Sequence, residues 1–146
     1  KVMDSAARAS MTTFAERRIG DVLLTWENEA LVTQKTLGKN KFDIVYPSIS
    51  ILTEPSVAIV DKTVEKNGNK WLAKGYINYL YSPLGQEMAA KHFYRPRNVE
   101  VLAKYKAQFP PLKTFTIDEV FGGWAQAQKT HFVNGATFDQ IYNTRK

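Results

Sequence analysis

Cysteine is absent from the 146 residues, which excludes a disulfide framework, a thiolate metal site and a cysteine nucleophile. That absence leaves the compartment open. No apolar run approaches the roughly 18 to 20 residues that a bilayer-spanning helix needs. Neither Gly-x-Gly-x-x-Gly nor a P-loop lysine motif occurs, so nucleotide chemistry has no support. There are 2 histidines, His92 and His131. Each lies near an expected helix end with no second ligand at metal spacing, which reads as a side chain interacting with a helix dipole. Ser48, Ser50 and Thr53 have neither a nucleophile turn nor a partnered base. An initiator methionine and a basic-then-apolar leader are also missing from Lys1-Val2-Met3-Asp4. The expectation is a segment that begins inside a longer protein, or one whose leader was removed.

What is present reads as one ordinary domain. Hydrophobic residues make up 44% and charged residues 23%, a balance that is neither disordered nor fibrous. The net charge of +6 is spread along the chain. A nucleic-acid footprint gathers on one face, so the dispersed charge reads as a solvated surface that favours small anions.

In chain order, Asp4 or Ser5 is the expected N-cap of a helix over residues 6–18, with Ala7, Met11 and Phe14 at helical spacing. Gly20 stops it. Asp21 to Trp26 is expected as a strand covered on both faces. A helix follows from Glu27 to Leu37, with Gly38 at its C-cap. Phe42 to Pro47 and Ser56 to Asp61 are two more expected strands, and the connector Ser48 to Pro55 is the hinge candidate. From Asn69, the residues Trp71, Leu72, Tyr76, Tyr79 and Leu80 form a helical stripe that reads as core and rim. Ser82-Pro83 starts a further helix, Val99 to Phe109 another, and Pro110-Pro111 ends it. A short strand over Leu112 to Thr116 and a helix capped by Asp118 through Val120, Trp124, Gln128 and Phe132 complete the chain. Asn134-Gly135 ends that helix, and one turn over Phe138 to Tyr142 is added. Strands alternating with helices indicate an α/β protein with mainly parallel sheets flanked by helices.

Two features point to chemistry. A helix start near Ala7 offers free backbone N–H groups and a positive dipole end, which suits an anion. Trp26, at the end of an expected strand, offers an indole N–H that donates and cannot accept. Pattern alone favours a plainer alternative, with Trp26 in the core and Asp4-Ser5 a simple cap. Arg8 either touches an anion directly or stands behind the site holding loop carbonyls or a carboxylate. Glu27 and Glu29 are two nearby carboxylates, but their i, i+2 spacing sends them to different sides of a helix, so both are expected in solvent.

The blocks Asp4-Ser5-Ala6-Ala7-Arg8, Ile19 to Ala30, Glu54-Pro55-Ser56-Val57, Tyr79 to Gln86, Phe93-Tyr94-Arg95-Pro96-Arg97 and Phe115 to Trp124 resemble the carboxyl-terminal half of the periplasmic sulfate-binding proteins of ABC importers. The resemblance spans essentially the whole chain. It implies a periplasmic-binding-protein-like fold of type II, with two lobes joined by a hinge and only part of it on this chain. Residues 1–53 would belong to the second lobe, and residues 54–146 would return across the hinge to the first lobe and the carboxyl-terminal helices. It also implies a binding protein and not an enzyme, without cofactor or metal, located in the periplasm and serving sulfur assimilation.

In that family neutral donors hold dehydrated sulfate in a cleft. By position, the N–H of Ala7 and the indole of Trp26 match two of them. Arg8 and Ser5 match residues that support the loop without touching the ligand. The implied partners are sulfate, the membrane permease of the importer and the amino-terminal half of the same protein, with no nucleic acid. Alanine stands at position 6 where the family usually has glycine, so the loop before Ala7 is expected to differ slightly. Thiosulfate or another tetrahedral dianion is the first alternative. A hydrolase or transferase using Glu27 and a basic nucleic-acid-binding module are the more distant ones.

Overall fold

The computed structural model describes residues 2–143. Helix α1, Ala7–Ala15, buries Met11 and Thr13. It stops short of the expected Arg18 because Arg18 itself turns to φ 56° and Gly20 to φ 100°, a left-handed conformation in which the helix cannot continue. Helix α2 runs over Glu27–Leu37 and ends at Gly38, φ 101°, as the spacing predicts.

The chain divides into two compact units. The larger takes in the chain through Val45 and then Val57–Pro111. Besides α1 and α2 it contains α3 (Asp61–Asn67), α4 (Lys70–Tyr81), α5 (Pro83–Lys91) and α6 (Val99–Lys104). The Ser82 hydroxyl accepts from the N–H of Gly85 at 3.1 Å, with Pro83 opening α5, the expected serine cap and proline start. Asn98 caps α6 by accepting from Glu100 and Val101. This helix ends before the expected Phe109, as i→i−3 bonds from Tyr105 to Leu102 and from Gln108 to Tyr105 tighten the chain into turns. Phe109 nevertheless reaches the core, buried with Ala90 and Val101 and flanked by Leu31, Leu102 and Tyr105.

The smaller unit comprises Tyr46–Ser56 and the chain from Leu112 onward. Its β1 (Ser50–Ile51) and β2 (Thr114–Phe115) pair in parallel, Ser50 opposite Thr114 and Ile51 opposite Phe115. Thr116, not the expected Asp118, caps α7 (Ile117–Phe121), forming a reciprocal capping box with Glu119. Gly122 and Gly123 at φ 68° and 87° break the expected continuous helix. After them come α8 (Trp124–Ala127), a π-helical turn (Gln128–Phe132) and α9 (Thr137–Asn143).

The described residues are therefore helix-rich with one small parallel sheet, and none of their helices is long and apolar enough to cross a membrane. Three expectations are corrected. Asp21 to Trp26, Phe42 to Pro47 and Ser56 to Val60 form no strand, and Asp61 opens α3 instead. Their apolar content is right for strands, but a ladder also needs a neighbour to exchange backbone hydrogen bonds with. Burial in the first two still alternates with period 2: Leu23 and Thr25 are half-buried while Val22 and Leu24 are exposed, and Phe42 and Ile44 are half-buried while Val45 is exposed. The α4 stripe is also not core, since Trp71, Leu72 and Tyr76 are exposed and no residue of α4 is buried. Helical spacing fixes which residues share a face, not what covers that face.

Two helix glycines should respond to substitution with opposite signs. A Cβ on buried Gly85 would run into the carbonyl of Tyr79, so Gly85→Ala should destabilise the chain by about 1 to 3 kcal/mol. Gly75 in α4 has nothing within 4 Å of an added Cβ, so Gly75→Ala should stabilise by about 0.4 to 1 kcal/mol. Urea unfolding of the two variants measures both.

Candidate functional site

The N-cap of α1 is Ala6, at φ −152° and ψ 151°, with no side-chain cap. Ser5 and Asp4 stand too early in the chain to fill that role. A capping oxygen must sit on the residue whose own backbone is half in the helix. Ser5 is exposed in a bend before α1, and the carboxylate of Asp4 accepts instead from the hydroxyl of Thr13 at 3.2 Å. The start of α1 is thus left with first-turn N–H groups that no side chain caps, Ala7 first among them. Alanine at position 6 is no obstacle, because its backbone is extended and needs no glycine.

Trp26 is the N-cap of α2, again with no side-chain cap. Its side chain is 53% exposed, which rules out the core reading for this chain. Trp26 thus stands exposed at a second helix start without a side-chain cap.

A salt bridge brings the two starts together. Arg8, in the first turn of α1, donates from Nε to Oε2 of Glu29 at 2.7 Å and from Nη2 to Oε1 at 3.0 Å. Glu29, in the first turn of α2, is 9% exposed. Asn28 donates to the same carboxylate at 3.3 Å. One turn on, the Thr33 hydroxyl donates to the carbonyl of Glu29 at 2.7 Å and lies 3.3 Å from the sulfur of Met11. The contacts advance in step, Arg8 to Glu29 and Met11 to Thr33. Helices α1 and α2 therefore run side by side in one direction, with their starts at the same end. Both positive dipole ends then point the same way. Hydrogen bonding to Glu29, and next its charge, push the pKa of Arg8 up from its ordinary value, so the guanidinium remains a cation at every working pH.

Of the expected site residues, the structure brings Ala7, Arg8 and the start of α2 with Trp26 into one neighbourhood. It leaves Ser5 on the surface. The expectation for the two carboxylates is corrected. Glu29 is buried, and Glu27 is held by Arg95, with Nη2 to Oε1 at 2.7 Å and Nε to Oε2 at 2.9 Å. The i, i+2 spacing does separate them, but each meets its own arginine. Partners 21 and 68 residues away leave no local signal in a sequence. Arg8 takes the carboxylate, one of the two roles its position left open. Among the described residues no group of histidines and carboxylates could hold a metal. His92 is the C-cap of α5, and Nδ1 of His131 lies 3.3 Å from the Thr137 hydroxyl.

The Arg8–Glu29 pair should be costly to break on one side only. Arg8→Met leaves a buried carboxylate without its partner, whereas Arg8→Met combined with Glu29→Met removes the charge as well. Thermal unfolding should give a lower Tm for the single variant than for the double.

A family of bacterial extracellular solute-binding proteins matches residues 1–95. Over 141 residues, 97% of the chain, the sequence is 64% identical to a sulfate-binding protein of Salmonella typhimurium. It is 49% identical over 142 residues to a thiosulfate-binding protein of Pseudomonas aeruginosa, and 41% identical over 141 residues to one of Escherichia coli. These alignments cover 43%, 43% and 42% of the three relatives, so the chain spans less than half of their length. With the match running through both helix starts, the chain belongs to the bacterial extracellular solute-binding protein family.

Proposed function

We propose that this chain is part of the periplasmic solute-binding component of a sulfate ABC importer. In this reading the backbone N–H of Ala7 and the indole N–H of Trp26 donate to dehydrated sulfate, and Arg8 and Ser5 stay behind the donors. The observation that carries it is the Arg8–Glu29 bridge, because it sets two uncapped helix starts side by side while occupying the guanidinium that could otherwise bind the anion. The names of the relatives support the choice of anion. The remaining donors would come from the rest of a longer, two-lobed protein of type II, closing on the ligand and docking on the membrane permease.

The chemistry favours a fully ionised dianion. Each hydrogen bond to a charged group contributes about 1.5 to 3 kcal/mol, so several convergent donors offset much of the desolvation of sulfate. A site made of donors alone also discriminates by proton content. A protonated phosphate must set its own O–H against a donor, an unpaired contact costing on the order of 1 to 3 kcal/mol. Thiosulfate carries no such proton and is the second reading, favoured by the two thiosulfate-binding relatives.

Calorimetric titration of the complete protein should show saturable sulfate binding. Trp26→Phe, which keeps the ring and removes the N–H, should weaken it by about 10- to 100-fold. No heat with sulfate in the complete protein would overturn the reading. A competition titration with thiosulfate decides between the two dianions.

A further inference from the structure

Arg95, the partner of Glu27, is tied to its surroundings from three sides. Its Nε and Nη2 donate to the two oxygens of Glu27, and Nη2 also donates to the carbonyl of Pro110 at 3.0 Å. The guanidinium stands 5.3 Å from the ring centre of Phe109, a residue of the buried core. Arg95 and Glu27 keep only 20% and 22% of their side-chain surface, so water screens the pair less than it would a surface bridge. Glu27 is the first residue of α2 and follows Trp26 directly.

We propose that Arg95 is a positioning residue for the anion opening. It fixes the start of α2 to the core through Glu27 and cancels the negative charge that Glu27 would otherwise present beside the Trp26 indole. This rests on the reading of Trp26 as an anion donor. A carboxylate in the first turn stabilises its own helix by using the same positive dipole end that an incoming anion would use. Left unpaired, Glu27 would compete with the ligand and repel it. The bidentate guanidinium removes that repulsion and, held by Pro110 and Phe109, does so from a fixed place. It does not present its own charge to the ligand. Glu29 and Arg8 form the second such pair, two residues on in the same first turn of α2. Both carboxylates at the start of α2 are thus neutralised by arginines, and the donors facing the anion stay neutral.

The test measures the electrostatic potential at Trp26 without using sulfate. In the complete protein, labelled with 15N-tryptophan, the Trp26 indole signal is identified by its loss in Trp26→Phe. Its relaxation enhancement is then compared between an anionic nitroxide, carboxy-PROXYL, and a neutral nitroxide of the same size. Glu27→Gln leaves the Arg95 charge uncompensated and should raise the anionic-to-neutral ratio by about twofold, while Arg95→Gln should lower it by about as much. The double variant should return to the wild-type ratio. A purely structural role would disturb access of both probes alike and leave the ratio unchanged. An unchanged ratio, or one shifting the same way in both single variants, overturns the proposal. Should Arg95→Gln fail to fold, the direction of the Glu27→Gln shift still decides. Sulfate affinity should move in the same directions by about fourfold, because the ligand carries two charges. A wild-type protein that ignores sulfate would count against the choice of ligand alone, and the probe ratios would still settle the role of Arg95.

Discussion

A helix start attracts negative charge whether that charge belongs to a ligand or to the protein. Helix α2 carries two carboxylates in its first turn, Glu27 and Glu29, and they are the residues best placed to spoil an anion site there. Their pairing with Arg95 and Arg8 is the interaction on which the rest of the arrangement depends. It sets the direction of α2 against α1 and ties the start of α2 to the Phe109 core, while Trp26 stays exposed and the first turns of both helices have no side-chain cap.

Breaking either pair from one side leaves a desolvated charge, and the resulting cost says little about what the intact pair contributes. The value of these bridges lies in geometry. An arginine fork meeting both carboxylate oxygens fixes direction as well as distance, which a lysine in the same place would not do. With Thr33 close to Met11 a turn later, the two helices are held in register from their first turns, and donors on separate elements keep a fixed spacing.

The sequence carried its short-range features plainly. Helix α2 with its Gly38 terminus, the Ser82-Pro83 start and the break at Asn134-Gly135 all follow from propensities acting over a few residues. What failed needed a partner distant in the chain. Asp21 to Trp26 and Phe42 to Pro47 have strand composition and no ladder among the described residues. The α4 stripe has core periodicity and lies exposed. Near misses at caps are instructive too. Thr116 displaced Asp118 because only it combines with a glutamate three residues on, and Ala6 displaced Ser5 because the helix began one residue later than the serine requires. In the candidate site, the helix start at Ala7 and the indole of Trp26 could be singled out from residue type and position, though pattern alone favoured a core tryptophan and only the family resemblance made them donors. Arg8 was legible as either of two roles. Glu27, Glu29 and Arg95 were not, since i, i+2 spacing says which way a side chain leaves its helix and nothing about what waits there.

For the proposed anion site, keeping formal charge paired also bears on selectivity. A free guanidinium at the site would attract every small anion by Coulomb force, protonated or not, and its pull would weaken with salt. Neutral donors act over the length of a hydrogen bond and reward only a ligand whose oxygens all accept. The 146 residues carry a net charge of +6, which on this part of the surface favours attraction of anions at long range. In the proposed site, Arg95 and Arg8 are then better used against Glu27 and Glu29, which would leave short-range donors to decide which anion stays.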